Sequence, residues 1–250
     1  MDNVLQNRTA VVTGAAKGIG AGIAAALAAA GASVVVNYRT DTAAADRVVK
    51  EITEAGGRAV AVRADVSRRD DVAALFTTAR EAFGPVDVLV NNAATYTFAP
   101  LAGITEEDYR RQVDTNLWGT LLTMQALTAQ DDLTEASIIN LSTAGTSSHP
   151  PYSALYVATK SAVNSVTLVA AKELAPRGIR VNAIAPSVSD TDGTRAMGFV
   201  GSPLADAAVA DIPLGRLGTP DDYGPVAVFL ASPAARWITG DILFVSGGQR

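Results

Sequence analysis

Two residues in the stretch Tyr156-Val157-Ala158-Thr159-Lys160 are placed to move a proton. On a helix, Tyr156 and Lys160 lie one turn apart and share a face. A phenol ordinarily loses its proton near pH 10, too high for acid/base work at neutral pH. A lysine ammonium held beside it favours the phenolate and is expected to bring that value down. The competing reading is an aromatic ring and a cation that merely stack on a helix surface. Other chemistries are poorly supplied. The chain has no Cys, which excludes thiolate catalysis, disulfides and zinc–cysteine sites, and its one His, His149, argues against a histidine metal cluster or a serine–histidine triad.

A second stretch is built to approach phosphate. The apolar run Thr9 to Thr13 leads straight into Gly14-Ala15-Ala16-Lys17-Gly18-Ile19-Gly20 and then an alanine-rich helix ending at Gly31. Gly14 permits a tight turn, Gly18 lets backbone approach a phosphate, and Gly20 lets the helix pack closely. The helix N-terminus then offers free N–H groups and the positive end of its dipole to a pyrophosphate. Glycines also serve plain turns, so the position between a first strand and a first helix carries the argument. The second strand, Ser33 to Tyr38, is followed by Arg39-Thr40 with no acid before Asp41. An acid at this point would hold an adenosine ribose, whereas Arg39 and Lys17 can meet a 2′-phosphate with opposite charge. The expected cofactor is therefore NADPH/NADP+.

The elements that must position these groups alternate along the chain. Strands are expected at Arg58 to Arg63, Val86 to Val90, Ser137 to Leu141, Ile179 to Ile184 and Asp241 to Val245. Helices are expected at Thr42 to Ala55, Asp70 to Phe83, Thr105 to about Ala129, from Tyr156 to near Ala175, and at Asp221 to Ala231. Thr105 with Asp108 reads as a capping box. The strands are continuous apolar runs, as when helices cover both faces of a sheet. The pattern predicts one α/β domain over 1–250, a doubly wound parallel sheet of Rossmann type, in preference to an eight-stranded βα barrel.

At 250 residues, 48% hydrophobic and 18% charged, the chain is expected to be globular. A net charge of −5 gives no basic footprint for nucleic acid or anionic membranes. The polar start, Met1 to Arg8, has no signal-peptide core, and the alanine-rich helix from Ile19 is too short to span a bilayer, so a cytoplasmic protein is expected.

Taken together, Thr13 to Gly20, Asn91-Asn92-Ala93-Ala94, Asn116, Ser142 and Tyr156-x-x-x-Lys160 resemble the short-chain dehydrogenase/reductase family. The resemblance continues through Arg180 to Pro186 and Pro213 to Pro220 and ends at Ile238-Thr239-Gly240 and Val245-Ser246-Gly247-Gly248, and so covers essentially the whole chain. Among members, it is most similar to ketone and 3-oxoacyl reductases. The resemblance implies that Tyr156 protonates a ketone oxygen, that Lys160 lowers the tyrosine pKa and binds the nicotinamide ribose, and that Ser142 holds the carbonyl oxygen. It implies that Asn116 positions a water relaying protons to Lys160. On the cofactor side it implies Gly14, Lys17, Gly18, Ile19, Gly20, Tyr38, Arg39, Asp65, Val66, Asn91, Ala93, Pro186 and Thr191, with Thr191 holding the carboxamide. Thr143 competes with Ser142, because Ser142 stands one residue farther from Tyr156 than in many relatives; Ser142-x-x-Gly145 favours Ser142. The chain departs from the family pattern at Ala94, Ser187, Ser189 and Ser246.

Two segments are expected to wall a small-molecule carbonyl substrate: Thr146 to Ser153, with His149, and a mobile lid over 187–212 with Met197, Phe199, Val200 and Leu204. The leading expectation is an NADPH-dependent reductase. A sugar or polyol dehydrogenase is an alternative, and a non-catalytic NADPH sensor is another of a different class. A homotetramer or dimer is expected from the resemblance.

Overall fold

The structure, a computed structural model, describes residues 3–133 and 135–250. Seven strands, β1 (Thr9–Val12), β2 (Ser33–Tyr38), β3 (Arg58–Arg63), β4 (Val88–Asn91), β5 (Ala136–Leu141), β6 (Ile179–Pro186) and β7 (Ile242–Val245), form one parallel sheet in the order β3-β2-β1-β4-β5-β6-β7. Every residue of β1, β4 and β5 is buried. That is why their sequences read as unbroken apolar runs: each face of the sheet meets helices. Register is regular across the centre, with Val11 opposite both Val35 and Leu89.

The helices are α1 (Gly18–Ala29), α2 (Thr42–Glu54), α3 (Arg69–Phe83), α4 (Glu106–Gln112), α5 (Gly119–Thr128), α6 (Gly145–Ser148), α7 (Ala154–Leu174), α8 (Asp192–Ala196), α9 (Pro203–Ala210) and α10 (Pro220–Ala231). One core joins Ile23 and Leu27 of α1, Val48 and Ile52 of α2 and Val228 of α10 to one sheet face. A second joins Leu75 and Phe76 of α3, Leu122 and Leu127 of α5 and Ala170 and Ala171 of α7 to the other. Helices α1 and α10 pack unusually closely, because glycine faces side chain at the contact. A Cβ on Gly224 would lie 2.7 Å from the Cβ of Ala26, and one on Gly22 would lie 2.6 Å from that of Pro220.

Because β1 lies between β2 and β4, the chain reverses its direction of travel across the sheet there. The carboxyl ends of β1 and β4 therefore open a crevice. The doubly wound parallel sheet is as expected, and the strand positions agree to within two residues. Strand β4 begins at Val88 rather than Val86, because the Val86 N–H and carbonyl are both taken by the Gln130 side chain, at 2.9 Å each.

Three expectations are corrected. The helix expected from Thr105 to Ala129 is interrupted at Val113–Trp118 by a π-helical segment between α4 and α5. Thr105 caps α4 by accepting from the Asp108 N–H at 3.1 Å, but the Asp108 carboxylate turns to the Thr105 hydroxyl, Thr97 and Arg111 rather than closing a capping box. The 187–212 segment, expected as a loop, folds into α8 and α9, each started by a hydroxyl cap, Thr191 and Ser202. As expected, α1 is too short to cross a membrane; among the described residues, Ala154–Arg177 is long and apolar enough by length and composition. It contains α7, whose Val163, Thr167, Ala170 and Ala171 are buried in the fold.

Candidate active site

The glycine loop is held from two sides. Gly14 and Gly18 take left-handed backbone, φ 60° and 59°, and a Cβ on Gly14 would stand 2.9 Å from the Cα of Ala93. Thr13 ties this loop to the one after β4: its hydroxyl accepts from the N–H groups of Asn92 and Ala93, both at 3.0 Å. The Asn92 amide returns two bonds, to the carbonyls of Thr13 and Gly14 at 2.9 and 3.0 Å. From the other side, Asn37 accepts from the Gly14 N–H at 3.2 Å and donates to the Val62 and Ala64 carbonyls. Thr13, Asn37 and Asn92 thus fix the loop's shape. In sequence they read only as polar residues within motifs, and their inward direction had no signal.

The first turn of α1 carries no acid, and Lys17 at its N-cap is exposed and extended. An N-terminus of this kind, with glycines permitting close approach, fits a dinucleotide pyrophosphate. Ile19 leans onto the first core, as does Tyr38 at the end of β2. Asp41, the acid nearest the end of β2, accepts from the Ala44 N–H at 3.0 Å and caps α2. Arg39 stands exposed, 3.9 Å from the Asp65 carboxylate, and the Arg63 guanidinium donates to the Arg39 carbonyl at 3.1 Å. Asp65 also closes its own turn, accepting from the Ser67 N–H and hydroxyl at 3.0 and 2.7 Å. The Val66 side chain is buried in the second core, against Gly119.

The Asn91 side chain is turned inward. Its amide donates to Asn140 at 2.9 Å and accepts from Thr123 at 2.6 Å, so the buried side chain is spent inside the sheet. On the opposite wall, Thr191 sits over the glycine loop, 3.5 Å from where a Gly18 Cβ would be, and Asp192 accepts from the Gly18 N–H at 3.2 Å. Pro186 ends β6, its carbonyl taken by the Ala144 N–H at 2.7 Å. Ser189 donates to the Ser187 carbonyl and pairs with the Tyr223 hydroxyl, which accounts for its polar character in a buried place.

Around the proton-transfer pair, the structure departs from the expected charge arrangement. The Lys160 side chain is 3% exposed, and its Nζ donates to the Leu141 carbonyl at 2.7 Å. It lies 6.0 Å from the centre of the Tyr156 ring. Burial pushes the Lys160 pKa from 10.5 down to about 8. Burial also raises the Tyr156 phenol above its ordinary value, the Tyr96 phenol beside it adds to the rise, and a hydrogen bond with Thr143 opposes it. Desolvation is thus the largest influence on the phenol, and the Lys160 ammonium is turned to the β5 carbonyl.

The two candidate hydroxyls differ in their surroundings. Ser142 Oγ is buried with no hydrogen-bond partner among the described residues, whereas the half-buried Thr143 accepts from the Gly145 N–H at 3.2 Å and lies near enough to the Tyr156 phenol to oppose its upward shift. Asn116 is fully buried. Its amide accepts from the Thr95 N–H and donates to the Thr95 carbonyl, both at 2.8 Å, and donates to Thr159 at 3.1 Å. Its backbone carbonyl accepts from Thr120 at 2.8 Å. Asn116 therefore pins the loop after β4 to α7, one residue from Lys160. His149 is exposed, with its ring bonded to the Ser147 carbonyl at 2.8 Å in its own loop. The segment after β4 also brings Tyr96 and Phe98 to Tyr156, a contact with no sequence signal because that segment has no periodicity.

Residues 14–250 match a family model described as enoyl-(acyl carrier protein) reductase, one of the short-chain dehydrogenase/reductase models. The chain belongs to the short-chain dehydrogenase/reductase family. It is 51% identical over 247 residues to an uncharacterized oxidoreductase of Methylorubrum extorquens, covering 98% of this chain and 99% of the relative. It is 41% identical over 247 residues to 3beta-hydroxysteroid dehydrogenase 1 of Eggerthella lenta, covering 98% and 94%. A short-chain dehydrogenase from Burkholderia cenocepacia, solved in complex with NADP, superposes with a TM-score of 0.91 at 34% identity, covering 98% of each chain. The protein is therefore a short-chain oxidoreductase.

Proposed function

We propose that this short-chain oxidoreductase reduces a ketone to a secondary alcohol with NADPH, with Tyr156 as the general acid. The observation that carries the reading is the placing of Tyr156 and the buried Lys160 one turn apart on α7, with the Lys160 Nζ 6.0 Å from the Tyr156 ring centre. A reductase needs a neutral phenol to give its proton away, and burial favours that form. A reduced nicotinamide supplies the hydride when bound. Tyr156 then delivers its proton to the carbonyl oxygen as charge develops there. Thr143 donates a hydrogen bond to the same oxygen and polarises it. Lys160, a buried cation one turn along α7, stabilises the phenolate left behind. This assigns to Thr143 the part that the family pattern gave Ser142, because the Thr143 hydroxyl reaches the phenol while the Ser142 hydroxyl is enclosed.

Preference for NADPH is supported by charge at the ends of β2 and β3. Arg39, Lys17 and Arg63 offer cations, while Asp41, the acid nearest the end of β2, is committed to capping α2. The Burkholderia relative solved with NADP has the same fold. Association into a dimer or tetramer through the Asn116 and Tyr156 helices is part of this proposal, supported by the exposed Leu168 and Val169 on α7. Light scattering that finds a monomer would remove it.

The test follows absorbance of NADPH and of NADH with a panel of ketones and 3-oxoacyl esters. Consumption of NADPH in preference to NADH, dependent on ketone, is the expected result. Equal or better use of NADH would refute the cofactor assignment. Oxidation of polyols with no ketone reduction would favour the reverse direction, and cofactor binding without turnover would make the protein a sensor.

A further inference from the structure

Three aromatic rings meet at the mouth of the cleft. The Tyr96 and Tyr156 ring centres are 5.8 Å apart at 68°, and those of Phe98 and Tyr156 are 6.1 Å apart at 74°. Tyr96 and Phe98 lie 5.6 Å apart at 38°. Despite these contacts, Tyr96 remains 37% exposed and Phe98 51% exposed. Both are held on an anchored segment rather than a free loop. Thr95 is clamped by the two Asn116 bonds, and the Ala99 N–H donates to the Tyr152 carbonyl at 2.9 Å. Helix α8 stands across from them, where a Cβ on Gly193 would lie 3.2 Å from the Tyr96 hydroxyl. The exposed parts of Tyr96 and Phe98 thus lie beside the phenol, with α8 packed close to Tyr96, and Met197 at the end of α8 is exposed.

The arginines on α4 and α8 are already paired. Arg110 and Arg111 of α4 donate to Glu106 and Asp108, both at 2.6 Å, and Arg195 of α8 donates to Asp190 at 2.6 Å. An acidic carrier or an anionic tail would compete with carboxylates already seated on those arginines. A flat, uncharged ring meets no such cost, and it gains offset or edge-on contact with Phe98 and Tyr96 beyond its buried area. A linear acyl chain of equal carbon count gains area alone and loses more internal freedom on binding.

We propose that the substrate is an uncharged, flat aryl or fused-ring ketone, its ring against Phe98 and Tyr96 and its carbonyl oxygen toward Tyr156 and Thr143. This rests on the reductase reading above. Hydride from the reduced nicotinamide forms the new C–H bond at the carbonyl carbon. The π pair moves to oxygen, which takes the Tyr156 proton, leaving a secondary alcohol, oxidised nicotinamide and a phenolate that regains its proton from solvent.

The experiment compares 2-tetralone with two linear probes, 2-decanone and an N-acetylcysteamine thioester of 3-oxodecanoate, using the purified protein and NADPH. The expected kcat/KM for 2-tetralone exceeds that of each linear probe by about tenfold or more. Phe98→Ala should cut that ratio by about fivefold or more, and Phe98→Tyr should preserve it. Because a ratio is read, partial loss of folded protein cancels. Equal or better use of a linear probe, or a ratio indifferent to Phe98→Ala, overturns this inference and leaves the reductase reading standing. If neither NADPH nor NADH reduces any of the three, both fall together.

Discussion

At Tyr156 and Lys160, proximity and burial compete, and burial wins on both sides. The lysine is held near pH 8 and the phenol above its usual range, each driven toward its neutral form. The lysine leaves a trace in stability. Folded Lys160 binds fewer protons than unfolded Lys160 between about pH 8 and 10.5, so its contribution to stability rises with pH across that window. Tyr156 acts oppositely, but only above about pH 10. Unfolding free energies measured from pH 8 to 10 should therefore rise more steeply in the wild type than in Lys160→Met; parallel curves would contradict the burial argument. The two neighbouring hydroxyls separate in the same way. Thr143→Val should lower kcat by roughly 10² or more through loss of an oxyanion donor. Ser142→Ala should lower it far less and leave the melting temperature unchanged or higher, since its enclosed oxygen has no partner to lose. Equal losses from the two would reverse the assignment. The sequence could not decide between them: Ser142-x-x-Gly145 and the distance to Tyr156 point to different residues, and the burial of each hydroxyl is set by the chain beyond β5, which has no periodicity.

Helices α1, α7 and α10 and the π segment set the geometry in which those residues act. Asn116 holds the segment after β4 from within a π turn, and that turn was invisible as a break because its residues continue an apolar helical pattern. Asn116→Ala should loosen that segment, so amide exchange at Thr95 should quicken along with a fall in kcat; unchanged exchange would remove the clamp from the account. The α1–α10 contact depends on Gly224 meeting Ala26. Gly224→Ala should destabilise by about 1–3 kcal/mol from overpacking, as read by denaturant unfolding. The strands and long helices were legible because their apolar runs are long and ended by glycine or proline. Helices α8 and α9 were not: they are short, and their threonine and serine caps are common in loops as well.

Over the whole molecule, the reversal of strand order at β1 and β4 brings residues far apart in sequence to one edge. The glycine loop, Arg39, Tyr156 and Thr191 were legible there through their motifs. The aromatic group at Tyr96 and Phe98 was not, because it arises where an irregular segment crosses the end of α7. Long-range charge should govern cofactor choice: Arg39→Ala should lower the NADPH-over-NADH ratio of kcat/KM by about tenfold, with the smaller effect at high salt. An unchanged ratio would move the preference elsewhere.

The most direct test of the central claim is single-turnover reduction of a ketone by NADPH with wild-type protein and with Tyr156→Phe. A proton-donating phenol requires the hydride step to slow by about 10² or more in the variant while NADPH still binds. Hydride transfer at the wild-type rate in Tyr156→Phe would contradict it.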